Sequence, residues 1–183
     1  MSHKNAISLL SQLMAHFPED GLRLSDMVII PAADIPHRYR DLLVHNDHMT
    51  ATLENHYNCQ LALEICNVRQ EGNNYSRKLL LHAGKGGLVV MVGIINIQLQ
   101  FFGADIAGEI VAGKTPLGRI LIENVVMRRI ESLAYIRIKM NSCLHAMFEV
   151  DAHYNETFGR IARIICDHEP AVELLEIIPP NIL

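Results

Sequence analysis

The clearest indication of fold class comes from residues 57–99, which read YNCQLALEICNVRQEGNNYSRKLLLHAGKGGLVVMVGIINIQL. Three parts of this stretch have the length and the apolar or alternating pattern of strands. They are Tyr57–Arg69, Tyr75–His82 and Leu88–Leu99. Between them lie Gly72-Asn73-Asn74 and Gly84-Lys85-Gly86-Gly87, which are typical of tight turns. Strands joined by such short turns predict an antiparallel sheet.

Helical and strand-like segments flank this meander on both sides. Helical spacing or composition marks residues 6–16, 36–44 and 105–112, and Thr115-Pro116 reads as the cap and first residue of a helix that continues through 117–123. Strand-like segments then return at Val125–Arg129, Leu133–Met140, Leu144–Val150, Thr157–Cys166 and Ala171–Ile178. Strands before and after a helical insert predict an α+β domain built on a single antiparallel β-sheet.

The composition fits one soluble globular domain spanning residues 1–183. Of the 183 residues, 50% are hydrophobic and 20% charged, enough to build a core. A net charge of −4 and scattered basic residues argue against a nucleic-acid partner. The longest apolar run, residues 88–95, is far shorter than the roughly 20 residues that span a bilayer. With no signal-peptide pattern, we expect a cytoplasmic protein without a membrane partner.

Two polar residues stand out because their strands are otherwise apolar, Arg77 and Glu176. Glu173 and Glu176 are three residues apart, so in one strand they point to opposite faces. A carboxylate that faces the core must be paired. Either the arginine and one glutamate form a satisfied ion pair or reach solvent, or they form a polar cluster in an apolar cavity. There the arginine would bind a carboxylate bidentately, and the glutamate would accept a hydrogen bond or transfer a proton.

Two histidines, His45 and His48, flank Asp47 at a spacing that could also indicate a metal site. Histidines beside an aspartate in a loop are more often helix caps or solvated, and we expect no metal here. The motifs of serine hydrolases, zincins and dinucleotide-binding folds are absent from the chain.

Taken in order, several segments resemble chorismate lyase (chorismate pyruvate-lyase) and the broader chorismate lyase-like family. The resemblance runs from about residue 45 to residue 180, after an N-terminal helical and loop segment of residues 1–44. It is carried by Asp47–Glu54, Tyr75–Leu79, Lys114–Leu121, Phe158–Arg163 and Glu173–Pro180. It implies a sheet with helices on one side and helical flaps over a buried ligand cavity. It also implies a cofactor-free reaction in which chorismate loses pyruvate to give 4-hydroxybenzoate.

The resemblance also suggests roles for individual residues. Arg77 matches the arginine that binds the ring carboxylate, and Glu176 most nearly matches the acidic residue at the other end of the ligand. Met49 falls where a methionine covers the ring, and Leu117 where a leucine lines the cavity. The expected catalytic residues are therefore Glu176, for acid–base chemistry or positioning, and Arg77.

The chain departs from the family pattern in two places. Lyases usually carry an arginine in the stretch that reads Gly93-Ile94-Ile95-Asn96 here, so Asn96 would stand in for a cation. The acidic position is offset by one residue from the terminal proline, which leaves Glu173 as a substitute for Glu176.

Two functions remain open after this comparison. The first is a lyase acting on chorismate or on a related aromatic carboxylate. The alternative is a non-catalytic protein that binds such a molecule, because the same fold serves as the effector-binding half of some bacterial transcription regulators.

Overall fold

A computed structural model describes residues 3–19, 21–124 and 128–182. Within them the strands are β1 Met27–Ile30, β2 Leu61–Glu71, β3 Asn74–Ala83, β4 Val89–Gln98, β5 Arg128–Lys139, β6 Glu156–Cys166 and β7 Glu169–Ile178. The α-helices are α1 His3–Ala15, α2 His37–Leu43, α3 Met49–Tyr57, α4 Ala104–Ala112, α5 Leu117–Glu123 and α6 Ser142–Phe148. Short 3-10 turns lie at Leu24–Asp26, Ala32–Asp34 and Leu99–Phe101.

The strands form one sheet in the order β1-β5-β6-β7-β4-β3-β2, and each neighbouring pair is antiparallel. The prediction of an α+β fold on a single antiparallel sheet is therefore confirmed. The meander forms as β2, β3 and β4, with Gly72 and Gly84 at positive φ in the two turns. None of the described helices is both long enough and apolar enough to cross a membrane.

The segment Leu144–Val150, predicted as a strand, is wrong in type, because α6 occupies Ser142–Phe148. The Asn141 side chain caps this helix by accepting a hydrogen bond from the backbone N–H of Leu144 at 3.1 Å. Leu144 and Phe148, four residues apart, are both buried, as one face of a helix requires. A short apolar run does not by itself distinguish a helix from a strand.

Two further boundaries differ from the prediction. Residues 128–139 form the single strand β5 with a bulge near Ser132, where two strands were expected. The first residues of the predicted strand, 125–127, lie outside the described residues. The chain between 49 and 57 is the helix α3, so β2 begins at Leu61 rather than at Tyr57.

Both faces of the sheet are covered. One apolar core lies between the sheet and α2, α3, α4 and α5, and a second lies between the opposite face and α1 and α6. Alternate residues of each strand serve the two cores: Leu79 and Leu81 belong to the first, and Leu80 to the second. The resemblance implied helices on one side, and α1 and α6 are additional to that arrangement.

Candidate functional site

A cavity of about 40 Å³ lies between the sheet and the N-terminal ends of α3 and α5. Arg77 on β3, Arg160 on β6 and Glu176 on β7 contribute its buried charged groups. The remaining lining is largely apolar: Met49, Leu63, Leu79, Leu81, Met91, Ile95, Pro116, Leu117, Ile130, Ile164 and Leu174.

The register of the strands explains which side chains reach this cavity. Arg160 lies opposite Glu176, and Arg77 lies opposite Ile95, which in turn lies opposite Leu174. Residues directly opposite each other in antiparallel strands point to the same face. Arg77 and Glu176 are two strand spacings apart, about 10 Å across the sheet. They therefore approach the cavity from opposite sides.

Arg77 is fully buried, and its guanidinium is only partly satisfied. Its Nη1 group donates a hydrogen bond to the carbonyl oxygen of Ile110, at 3.2 Å, near the end of α4. Its Nε and Nη2 groups are buried and have no hydrogen-bond partner among the described residues. Burial lowers the pKa of the guanidinium, and the nearby Tyr75 phenol offsets part of that effect through its charge and a hydrogen-bonding contact. That contact does not reach the geometry of a hydrogen bond to Nε or Nη2. Nε and Nη2 form one edge of the planar group, the edge that binds a carboxylate with two parallel hydrogen bonds.

Arg160, also buried, is satisfied by the protein. Its Nε group donates to Oε2 of Glu176 at 2.6 Å, in an ion pair whose side chains are 1% and 7% exposed. Its Nη1 and Nη2 groups donate to the carbonyl oxygens of His45 and Asp47, at 3.0 and 3.2 Å. Arg160 thus ties β6 to the loop that precedes α3, and Glu176 balances its charge.

His45 and His48 bond to arginines and to backbone groups. The Nε2 group of His45 donates to the carbonyl oxygen of Leu42 at 2.8 Å, which leaves Nδ1 to accept from the Arg160 guanidinium at 3.2 Å. The Nε2 atom of His48 accepts a hydrogen bond from Arg128. Burial and the nearby Arg160 lower the pKa of His45. Burial, with Arg128 as the next cause, lowers the pKa of His48 to about 4.

Four of the six predicted site residues surround the cavity: Met49, Arg77, Leu117 and Glu176. The structure does not bring Asn96 and Glu173 there. Asn96 accepts a hydrogen bond from the Ser76 hydroxyl at 3.1 Å, and Glu173 pairs with Arg163 at 2.9 Å. Both alternate with cavity-facing neighbours along their strands and so lie on the opposite face. Of the two glutamates left open by the sequence, Glu176 is the one at the cavity.

Arg160 and His48 also line the cavity, where neither was expected from the sequence. A usable signal for Arg160 was its position between apolar neighbours, Phe158 and Ile161, in a strand-like segment. No comparable signal existed for His48, whose position depends on how the loop before α3 folds against β5.

The two helices at the edge of the cavity touch each other. A Cβ atom added at Gly118 of α5 would lie 2.8 Å from the hydroxyl oxygen of Thr50 in α3, so only glycine allows this approach. An ion pair between Glu54 of α3 and Arg119 of α5 joins the same helices. Glu54 also accepts a hydrogen bond from the backbone N–H of Leu61 at 3.0 Å, which fixes α3 to the start of β2.

No family model and no curated protein matches the chain. Among solved structures, PhnF from Mycobacterium smegmatis matches with a TM-score of 0.55 and 10% identity, over 97% of this chain and 96% of that one. The ligand-binding domain of a transcriptional regulator assigned to the GntR family, from Bordetella bronchiseptica, matches with a TM-score of 0.47 and 11% identity, over 64% of this chain and 85% of that one. The C-terminal domain of the histidine utilization repressor from Pseudomonas syringae pv. tomato matches with a TM-score of 0.45 and 10% identity, over 68% of this chain and 94% of that one.

At these identities the similarity concerns the fold alone, and the match to PhnF is the one that establishes it. The fold is the chorismate lyase-like fold.

Proposed function

We propose that the chain binds a small aromatic carboxylate in the cavity, with the carboxylate held by the Nε and Nη2 groups of Arg77. The observation that carries this proposal is the buried, unpartnered edge of that guanidinium. A buried donor without a partner costs about 1–3 kcal/mol, and more when it is charged. A ligand carboxylate would satisfy both donors and the charge at once.

The rest of the cavity favours an aromatic body on that carboxylate. Met49 and Leu117 supply apolar contacts from α3 and α5, and the strands supply branched aliphatic side chains. At the far side, Oε1 of Glu176 is available to accept a hydrogen bond from a ligand hydroxyl. A cavity of about 40 Å³ is too small for a benzoate ring. Ligand entry therefore requires α3 and α5 to move apart, as flaps.

The fold is compatible with a binding role. Solved structures that resemble this chain include the ligand-binding domain of a regulator assigned to the GntR family. We infer that this chain likewise binds a ligand and does not convert it.

The second candidate is the lyase reaction, in which chorismate releases pyruvate and its ring aromatises to 4-hydroxybenzoate. It is supported by the presence of Arg77 and Glu176 around one cavity, together with Met49 and Leu117. In that reaction Arg77 would hold the ring carboxylate, and Glu176, whose Oε2 is bound by Arg160, would act through Oε1.

Calorimetric titration with 4-hydroxybenzoate tests the binding proposal. The wild-type protein is expected to bind it, and Arg77→Met is expected to weaken binding by about tenfold or more, the value of a charge-assisted bond. Arg77→Met should also raise the free energy of unfolding without ligand by about 1–3 kcal/mol, because it removes two unpartnered buried donors. Arg163→Met, on the opposite face, is the matched control and should leave binding unchanged. Equal binding by wild type and Arg77→Met would contradict the proposal.

A pyruvate-release assay with chorismate, coupled to chromatography of the aromatic product, separates the two candidates. Pyruvate and 4-hydroxybenzoate formed by the wild type and lost in Glu176→Gln would establish the lyase. Absence of pyruvate from protein that binds 4-hydroxybenzoate would leave the binding role.

A further inference from the structure

We infer that the cavity selects ligands carrying a single negative charge, and that Glu176 is the residue that imposes this limit. The inference rests on the proposed binding function, since it concerns the ligand that Arg77 holds, and it excludes chorismate, which carries two carboxylates. It follows from which charged lining residues are already paired with a group of opposite charge and which are not.

The described lining contains four ionisable side chains: Arg77, Arg160, Glu176 and His48. Arg160 and Glu176 neutralise each other at 2.6 Å. The ring of His48 accepts a hydrogen bond from Arg128, which requires an uncharged nitrogen. Arg77 is therefore the one cation of the described lining whose charge no other lining group balances.

A second anionic group on the ligand would meet a carboxylate at the far side of the cavity. Arg160 could not hold that group with two hydrogen bonds, because four of its five N–H donors already bond to Glu176, His45 and Asp47 and one N–H of Nη2 is left. An anion placed there would be buried without a two-donor partner and would lie beside a like charge. A hydroxyl or an amide at the same place could donate to Glu176 instead.

The same arrangement predicts what happens when Glu176 loses its charge. In Glu176→Gln the amide oxygen can still accept the Arg160 hydrogen bond, but the Arg160 charge is no longer balanced. The cavity would then hold two unbalanced cations and would accept a ligand with an anionic group at each end. The pair Arg163–Glu173 supplies a matched control, because it joins the same two strands at 2.9 Å on the opposite face.

The test is calorimetric titration at pH 7 with two ligands of the same shape, 4-carbamoylbenzoate with one negative charge and terephthalate with two. The wild type is expected to prefer 4-carbamoylbenzoate by about tenfold or more, as for a charge-assisted contact. Glu176→Gln is expected to reduce that preference by about tenfold or to reverse it. Glu173→Gln should keep the wild-type preference.

The possible failures are distinguishable. If the wild type binds neither 4-hydroxybenzoate nor 4-carbamoylbenzoate, the proposed function fails. If it binds 4-hydroxybenzoate but neither 4-carbamoylbenzoate nor terephthalate, the size of the ligand rather than its charge limits binding, and the inference is overturned. Equal affinity of the wild type for the two test ligands also overturns it, independently of whether Glu176→Gln folds. So does an unchanged preference in a folded Glu176→Gln protein.

Discussion

Two buried arginines line the same cavity from β3 and β6, and they differ in how many of their guanidinium groups have hydrogen-bond partners. Arg160 donates to one carboxylate and two backbone carbonyls, so its charge and its hydrogen-bonding groups are satisfied internally. Arg77 donates to one backbone carbonyl, and its other two nitrogen groups have no hydrogen-bond partner among the described residues. An unsatisfied buried charge is destabilising, so the Arg77 guanidinium does not serve stability; a bound ligand would account for it.

His48 makes the stability of the fold depend on pH. Its pKa is about 4 in the folded protein, below the 6.5 of an unperturbed histidine. The unfolded chain therefore binds the proton more readily than the folded protein does. The free energy of unfolding is unaffected by His48 above pH 6.5 and falls as the pH drops from 6.5 towards 4. At pH 5 this one group accounts for a loss of about 2 kcal/mol.

Urea unfolding of the wild type and of His48→Gln at pH 7 and pH 5 checks this. The wild type should lose more stability between the two pH values than the variant, because the variant lacks the titrating ring. Carboxylates titrate equally in both proteins and cancel in the comparison. An identical loss in the two proteins would show that His48 is not responsible.

Among the elements, the pair β6–β7 determines the geometry of the charged site. Gly159 and Ile177 lie opposite each other, one residue before Arg160 and one after Glu176. A Cβ atom added at Gly159 would lie 2.5 Å from the backbone carbonyl oxygen of Glu176. The strands can approach this closely only because residue 159 has no side chain.

Gly159→Ala is expected to force β6 and β7 apart, lowering the free energy of unfolding by about 1–3 kcal/mol. Because Glu176 moves with the strand, binding of 4-hydroxybenzoate should weaken as well. Gly108→Ala is the control, since a Cβ atom there meets nothing within 4 Å and alanine is the better helix former. Chemical denaturation and calorimetry on both variants check this. A Gly159→Ala protein as stable as the wild type would refute the steric reading.

The stability of the whole domain depends on its N-terminal segment as well as on the part that resembles a known family. Helix α1 buries Ala6, Leu9, Leu10 and Leu13 against the face of the sheet opposite the cavity. Strand β1 pairs with β5 through four residue pairs, from Met27 with Ile138 to Ile30 with Tyr135. Residues 1–44 thus contribute one edge of the sheet and much of the second core.

Removal of residues 1–16 is expected to unfold or aggregate the protein. Exposing the three leucines of α1 removes about 6 kcal/mol of apolar burial, comparable to the whole stability of a typical domain. Circular dichroism and gel filtration of the truncated chain measure the outcome. A monomeric truncated chain with native secondary structure would show that residues 17–183 fold without α1.

Local turn chemistry made the meander predictable, and non-local pairing limited the rest. Gly72 and Gly84 mark turns within a few residues of their strands, so β2, β3 and β4 could be placed from spacing alone. The partner of Glu176 could not be placed in this way. Asp167 and His168, both at positive φ, form a two-residue turn that pairs Cys166 with Glu169.

If the register that pairs Cys166 with Glu169 continued along the hairpin, Arg160 would lie opposite Leu175 and Glu176 would point to the face opposite Arg160. A bulge beside Ile165 shifts the register by one residue and brings Arg160 opposite Glu176. Periodicity showed that Glu173 and Glu176 face opposite sides, but it could not show which side carries the cavity.

This bulge also bears on how faithfully the chain reaches its native state. The two arginine–glutamate pairs, Arg160–Glu176 and Arg163–Glu173, lie on opposite faces of the same hairpin. If the hairpin formed without the bulge, both ion pairs would be broken, because each glutamate would point to the face opposite its arginine. Each face would then bury an unpaired charge. The hairpin without the bulge is therefore higher in free energy, so the two ion pairs favour the register that places Arg160 and Glu176 at the cavity.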